Sequence, residues 1–237
     1  NVSTSSDVYL NDLTIATGDS YLGGMIRLDN SGTDTGDFNL TASSFIVTSS
    51  VTIDTEQGDD GDGGDVFINP AVGQWGLGSG LDFSVMTGTT LSNGVGGDVS
   101  LTHPSSVFGD DLHDFTIDAH GDTLGKIFLG GDIRIDANGP DDPADLTLFG
   151  DVVLTASQVW DTEQGDDAAS GNVNLLGGSV SADGTGRDLQ INTETADGRA
   201  GFVNLMAFND AFDNYVHDLT IFNNSDSNGG VVFLEDV

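Results

Sequence analysis

The sequence predicts an all-β fold, a parallel β-solenoid, and three observations predict it. Short segments of the form Gly-x-[Val/Ile]-x-[Leu/Ile] recur at near-even spacing, and residues within them alternate between apolar and polar. The stretches between them are rich in Gly, Asp, Asn and Ser and carry no helical pattern. Strands of this kind cannot bury an apolar stripe singly. Stacked about 4.8 Å apart, they align equivalent positions into columns, and each coil satisfies its neighbour's backbone.

In chain order the first strand is "NDLTI" at Asn11 to Ile15, followed by "GMIRL" ending at Leu28. The series continues with "GDVFI" at Gly64, "GDVSL" at Gly97, "GKIFL" at Gly125, "GNVNL" at Gly171, "GFVNL" at Gly201 and "GVVFL" at Gly230. From Gly64 the starts are 33, 28, 46, 30 and 29 residues apart. One coil therefore takes about 30 residues, and the 46 corresponds to two short coils or to one coil with an outward loop. Alternation puts Val173 and Leu175, Leu189 and Ile191, Val203 and Leu205, and Leu219 and Ile221 on a dry face, with polar residues between them on a wet one. About eight to ten coils at strand spacing make a rod about 35 to 50 Å long.

A longer period of about 103 residues overlies the short one. "HDFTI" at His113 and "HDLTI" at His217 repeat "NDLTI" after 102 and 104 residues. The heptad "DTEQGDD" occurs identically at Asp54 to Asp60 and at Asp161 to Asp167, 107 residues apart. The reading is one continuous solenoid over residues 1–237, with copies at approximately 12–113, 114–217 and a partial 218–237, made by duplication of whole windings. An array of antiparallel β-sandwich domains also accounts for the long period. It has no reason to show the shorter one.

Composition bounds the partners. Five Lys+Arg against 39 Asp+Glu give a formal charge of −34, which argues against nucleic acid and anionic membranes and makes cations the natural counterparts. With no cysteine, there is neither a disulfide framework nor a thiolate metal site. No run of the sequence is apolar enough to span a membrane, and "NVSTSSDVYL" lacks the basic and apolar regions of a signal peptide.

The stretches "LTLFGDVVLTAS", "GNVNLLGGSVSADGTGRDLQINT" and "GFVNLMAFNDAFDNYVHDLTI" resemble the repeat regions of filamentous-haemagglutinin-like proteins, the bacterial surface adhesins exported by two-partner secretion. The shared style is a strand preceded by Gly, a "GGSV" turn and a "DLxI" strand, and it covers nearly the whole chain. The resemblance implies a right-handed parallel β-helix and an extracellular adhesive or structural role. The "NPNG"-type signature of that family's secretion domain is missing, so a repeat segment is implied.

The acidic heptads are the sharpest candidate site. Asp54, Glu56, Asp59 and Asp60, repeated as Asp161, Glu163, Asp166 and Asp167, crowd hard oxygen donors around glycine turns, an arrangement suited to calcium. The competing reading is a set of solvated turns whose Asp side chains bond local backbone. His103, His113, His120 and His217 show no metal-ligand spacing; His113 and His217 share one place in the repeat and are read as coil-surface residues. Trp160 sits in a strand pattern, and Arg27, Phe128 and Phe233 are expected to point outward.

The expected function is a segment of an extracellular or cell-surface β-solenoid fibre or giant adhesin. Its expected partners are further copies, through uncapped ends or lateral contacts, and glycans or host surfaces. The alternative is a polysaccharide lyase or glycoside hydrolase on the same fold, which needs two suitably spaced carboxylates. Duplication of the densest acidic cluster favours structure, since a catalytic constellation is normally unique in a chain.

Overall fold

The computed structural model describes residues 11–28, 36–56, 61–73, 80–102, 107–137, 142–164, 169–196, 198–205, 207, 215–225 and 229–234. Among them are seventeen strands and no helix, hence none long and apolar enough to cross a membrane. The strands are β1 (Leu13–Arg27), β2 (Phe38–Asp54), β3 (Val66–Gly73), β4 (Leu81–Met86), β5 (Val99–Leu101), β6 (Val107–Asp118), β7 (Lys126–Leu129), β8 (Asp132–Ile135) and β9 (Leu146–Phe149). They continue as β10 (Asp151–Leu154), β11 (Gln158–Asp161), β12 (Val173–Leu176), β13 (Val180–Ala182), β14 (Arg187–Asn192), β15 (Val203–Leu205), β16 (Val216–Phe222) and β17 (Val232–Leu234).

Every named strand pairing is parallel, and each winding visits three faces. The first face stacks β1, β2, β3, β5, β7, β10 and β13 through the column Leu13, Phe38, Val66, Val99, Ile127, Val152 and Val180. The second runs from the first half of β6 through β8, β11, β14 and β16, with Ile133, Trp160, Ile191 and Ile221 in line. The third joins the ends of β1 and β2 to β4, the end of β6, β9, β12, β15 and β17. That column is eight strands deep, or about 34 Å at parallel-strand spacing.

The alternation predicted from sequence is what builds the core. Val173, Leu175, Leu189, Ile191, Val203 and Leu205 are all buried, while Asn174, Gln190 and Asn204 between them are half-buried on the outside. Inside the stack, Phe83 lies flat on Phe115 with ring centroids 5.4 Å apart and meets the edge of Phe45 at 6.1 Å. Trp160 is fully buried, its Nε1–H donating to Gln158 Oε1 at 2.9 Å, and Gln158 Nε2 donates in turn to the Leu129 carbonyl at 2.9 Å. The indole is thus polar-satisfied inside the spiral.

The long repeat does not consist of whole windings, contrary to the sequence reading. Leu13–Ile15 lie on the first face, Phe115–Ile117 on the third and Leu219–Ile221 on the second. Each step advances three windings and two faces, and the two heptads follow the same rule, one after β2 on the third face and one after β11 on the second. The interval of 46 between Gly125 and Gly171 has the same origin: it runs from β7 on the first face to β12 on the third, one winding and two faces on. A strand with its corner is the true repeating unit, and it serves equally on any face. Glycine before a strand marks a tight corner: a Cβ on Gly97 would run into the Gly64 carbonyl, and one on Gly201 into that of Gly171.

Aspartate ladders tie the strand starts together. On the first face the carboxylates of Asp12, Asp37, Asp65 and Asp98 each accept the backbone N–H of the next winding's equivalent residue, at 3.2, 2.9, 2.8 and 2.8 Å, ending at Lys126. On the third face Ser50, Asp82, Asp114, Asp145 and Asn172 form the same chain at 3.0, 3.3, 2.9, 2.7 and 2.8 Å. These bonds satisfy amides where the chain turns into a strand, and they stack like charges. Partial burial raises the Asp65 pKa, the bond from the Asp98 amide opposes this, and the Asp98 and Asp37 charges raise it further; the net shift is upward.

A raised carboxylate value means that the fold binds protons more tightly than the unfolded chain does. Asp65 therefore adds stability as pH falls from neutral towards the ordinary aspartate range, and loses it as pH rises through the raised value. The contribution of Asp65 to the unfolding free energy is expected to be larger at about pH 4 than at about pH 7 at fixed ionic strength. Asp65→Asn narrows that difference and retains an acceptor oxygen. Asp65→Ala instead costs about 1 kcal/mol, because the Asp98 amide loses its acceptor; denaturant titration of the three proteins at both pH values checks this.

Candidate functional site

The acidic heptads form corners. Asp54 Oδ1 accepts the Glu56 N–H at 3.3 Å, and Asp161 Oδ1 accepts the Glu163 N–H at 3.3 Å. The same turn recurs at Asp118 with His120 and at Asn192 with Glu194, each at 3.1 Å. The middle residue points inward: Thr55 Oγ1 donates to the Gly64 carbonyl at 2.8 Å, and Thr162 Oγ1 to that of Gly171 at 2.9 Å, both buried. Glu56 and Glu163 are buried as well, and Glu56 Oε1 accepts the Gly61 N–H at 3.2 Å across the turn. Asp54, Glu56 and Asp161 thus hold the corners together through their carboxylates, and Glu163 through its backbone N–H. Asp59, Asp60, Asp166 and Asp167, the other half of the expected calcium ligands, lie outside the described residues.

Among the described residues, the groupings that bring three metal-competent side chains together lie elsewhere. They are Asp82, His113 and Asp114, and Asp188, His217 and Asp218, with ligand atoms within 4.8 Å of one another. Each arises from a bulge. Leu81 pairs with Leu112 and Phe83 with Phe115, so His113 and Asp114 both stand opposite Asp82. Arg187 pairs with Val216 and Leu189 with Leu219, so His217 and Asp218 both stand opposite Asp188. Read winding against winding, "LDF" becomes "LHDF" and "RDL" becomes "VHDL": in both places the extra residue is a histidine.

The two sites share their geometry and differ in shelter. His113 Nδ1 lies 3.1 Å from Asp82 Oδ1 and 3.6 Å from Asp114 Oδ1, with Asp142 Oδ1 facing Nε2 at 3.5 Å on the other side of the ring. His217 Nδ1 lies 3.0 Å from Asp188 Oδ1 and 3.4 Å from Asp218 Oδ2. The His113 side chain is 13% exposed and that of His217 59%. Burial pulls the His113 imidazole pKa down, but the Asp82 hydrogen bond and the charges of Asp114, Asp142 and Asp82 outweigh it and hold it above the ordinary value. At His217 the Asp188 bond and the charges of Asp218 and Asp188 act in the same upward direction.

The sequence reading placed His113 and His217 at equivalent positions but saw no ligand spacing, because their partners lie 31 and 29 residues upstream and meet them only through stacking. The remaining candidates disperse. Phe128 is half-buried on the first face, and Phe233 is 54% exposed on the third, where Arg27 also sits, half-buried. His103 lies outside the described residues.

If the heptads act as corner staples, Thr162→Val, which keeps shape and removes the hydroxyl, leaves the buried Gly171 carbonyl short of a donor and lowers stability by about 1–3 kcal/mol. Thr55→Val is expected to do the same at the first heptad, and denaturant unfolding reads both. Compared with protein-family models, with curated proteins and with solved structures, the chain matches none.

Proposed function

We propose that the chain is a structural and adhesive segment of an extracellular or cell-surface β-solenoid fibre. The observation that carries this reading is the continuous parallel stack, eight strands deep on the third face, in which each winding offers the next the same register. A strand at the end of any such stack is a template for another of the same design. The resemblance to adhesin repeats supports the same reading, as does a cross-section that repeats by translation and extends length. We assign the contact to a second copy, stacked end to end.

Sedimentation velocity over a range of protein concentrations tests this. The expected outcome is growth into elongated species, abolished by Val232→Lys in β17. A particle of constant size, together with release of sugar from neutral or acidic glycans, supports the carbohydrate-active alternative instead.

Calcium at the heptads belongs to the same proposal. Carboxylates crowded within one heptad repel, and an ion that binds only the folded chain stabilises it. The melting midpoint is therefore expected to be higher in calcium than in magnesium or chelator at matched ionic strength, and equal midpoints remove the calcium assignment.

A further inference from the structure

We propose that the two histidine bulges are binding sites for a divalent first-row transition metal, zinc being the ion their donor set suits. The ligands are His113 Nδ1, Asp82 and Asp114 at one site, and His217 Nδ1, Asp188 and Asp218 at the other.

The ladder itself does not call for the histidine. Asp37 to Asp65 and Asp114 to Asp145 stack without one, through the same carboxylate-to-amide bond. An inserted residue interrupts the strand pairing, and bulges are features that re-aim side chains. Here the same insertion, of the same residue, opposite the same kind of carboxylate, occurs on two different faces. Both insertions turn an imidazole nitrogen onto two carboxylates from adjacent windings.

The distances fit a coordination sphere. Nitrogen-to-oxygen separations of 3.1 and 3.6 Å at one site and 3.0 and 3.4 Å at the other bracket the edge of about 3.3 Å of a tetrahedron with bonds of about 2.0–2.1 Å. Three protein donors leave a fourth position for water. An imidazole beside carboxylates favours zinc, cobalt or nickel over calcium and magnesium, which take oxygen alone. At the first site Asp142 Oδ1 lies 3.5 Å from Nε2 on the far side of the ring, while Nδ1 is directed at the other two carboxylates. That site is also the more sheltered, so it is the tighter of the two.

The test titrates the chelator-treated full chain with Co²⁺, read by visible absorption, and with Zn²⁺, read by calorimetry. Two ions are expected per chain, one bound more tightly. His113→Asn removes the tighter site, His217→Asn the weaker, each by at least about tenfold in affinity, and excess Ca²⁺ displaces neither. Far-UV circular dichroism monitors the fold; should His113→Asn unfold, the exposed His217 site decides alone. Undiminished Co²⁺ binding by the histidine variants, or its displacement by Ca²⁺, overturns the proposal and assigns the ions to a diffuse acidic surface.

Discussion

The structure depends on where the amide at the start of each strand finds its acceptor. Within the strands, parallel pairing supplies a carbonyl one winding away. At the start, where the chain has just turned a corner, a side chain of the preceding winding takes that role. Aspartate is long enough to reach and strong enough as an acceptor, and Ser50, Ser157 and Asn172 show that a hydroxyl or amide does the same. One bond therefore fixes register between windings and places a carboxylate above a carboxylate. Much of the chain's acidity is a product of its architecture, with repulsion down each ladder offset by the amides that it satisfies.

The fold was legible because its two strongest signals are local. Glycine at a corner too tight for a Cβ, followed by Val-x-Leu, writes a strand and its inward face in five letters, as at Gly97 and Gly201. The long period misled for a physical reason. All three faces demand the same pattern, so "LTI" fits any of them, and sequence similarity alone does not tell a whole winding from a winding short of one face. The heptads were conspicuous because of their charge, yet the parts that the structure describes, Asp54 to Glu56 and Asp161 to Glu163, use that charge to close a turn.

The histidine sites were hidden for the opposite reason. Nothing in "HDFTI" or "HDLTI" points to a partner, since Asp82 and Asp188 are near neither in sequence. The signal lay in comparing windings, where "LDF" against "LHDF" and "RDL" against "VHDL" each reveal one surplus letter. A solenoid converts a separation of one winding into contact, so an insertion that looks neutral along the chain becomes a change in what touches what. At the first site the paired carboxylates are rungs of the third-face ladder, and the bulge adds the nitrogen.

Because any strand with its corner can occupy any side of the spiral, lengthening need not proceed by complete turns. A duplication that adds a fractional turn still leaves greasy positions inward and polar ones outward, with the ladder rungs resuming one level higher. Such a molecule has many more permissible lengths than one restricted to closed circuits. The heading of any surface feature around the axis then depends on how many sides separate it from the last, so copying can swing a motif to a new direction without altering a single residue within it.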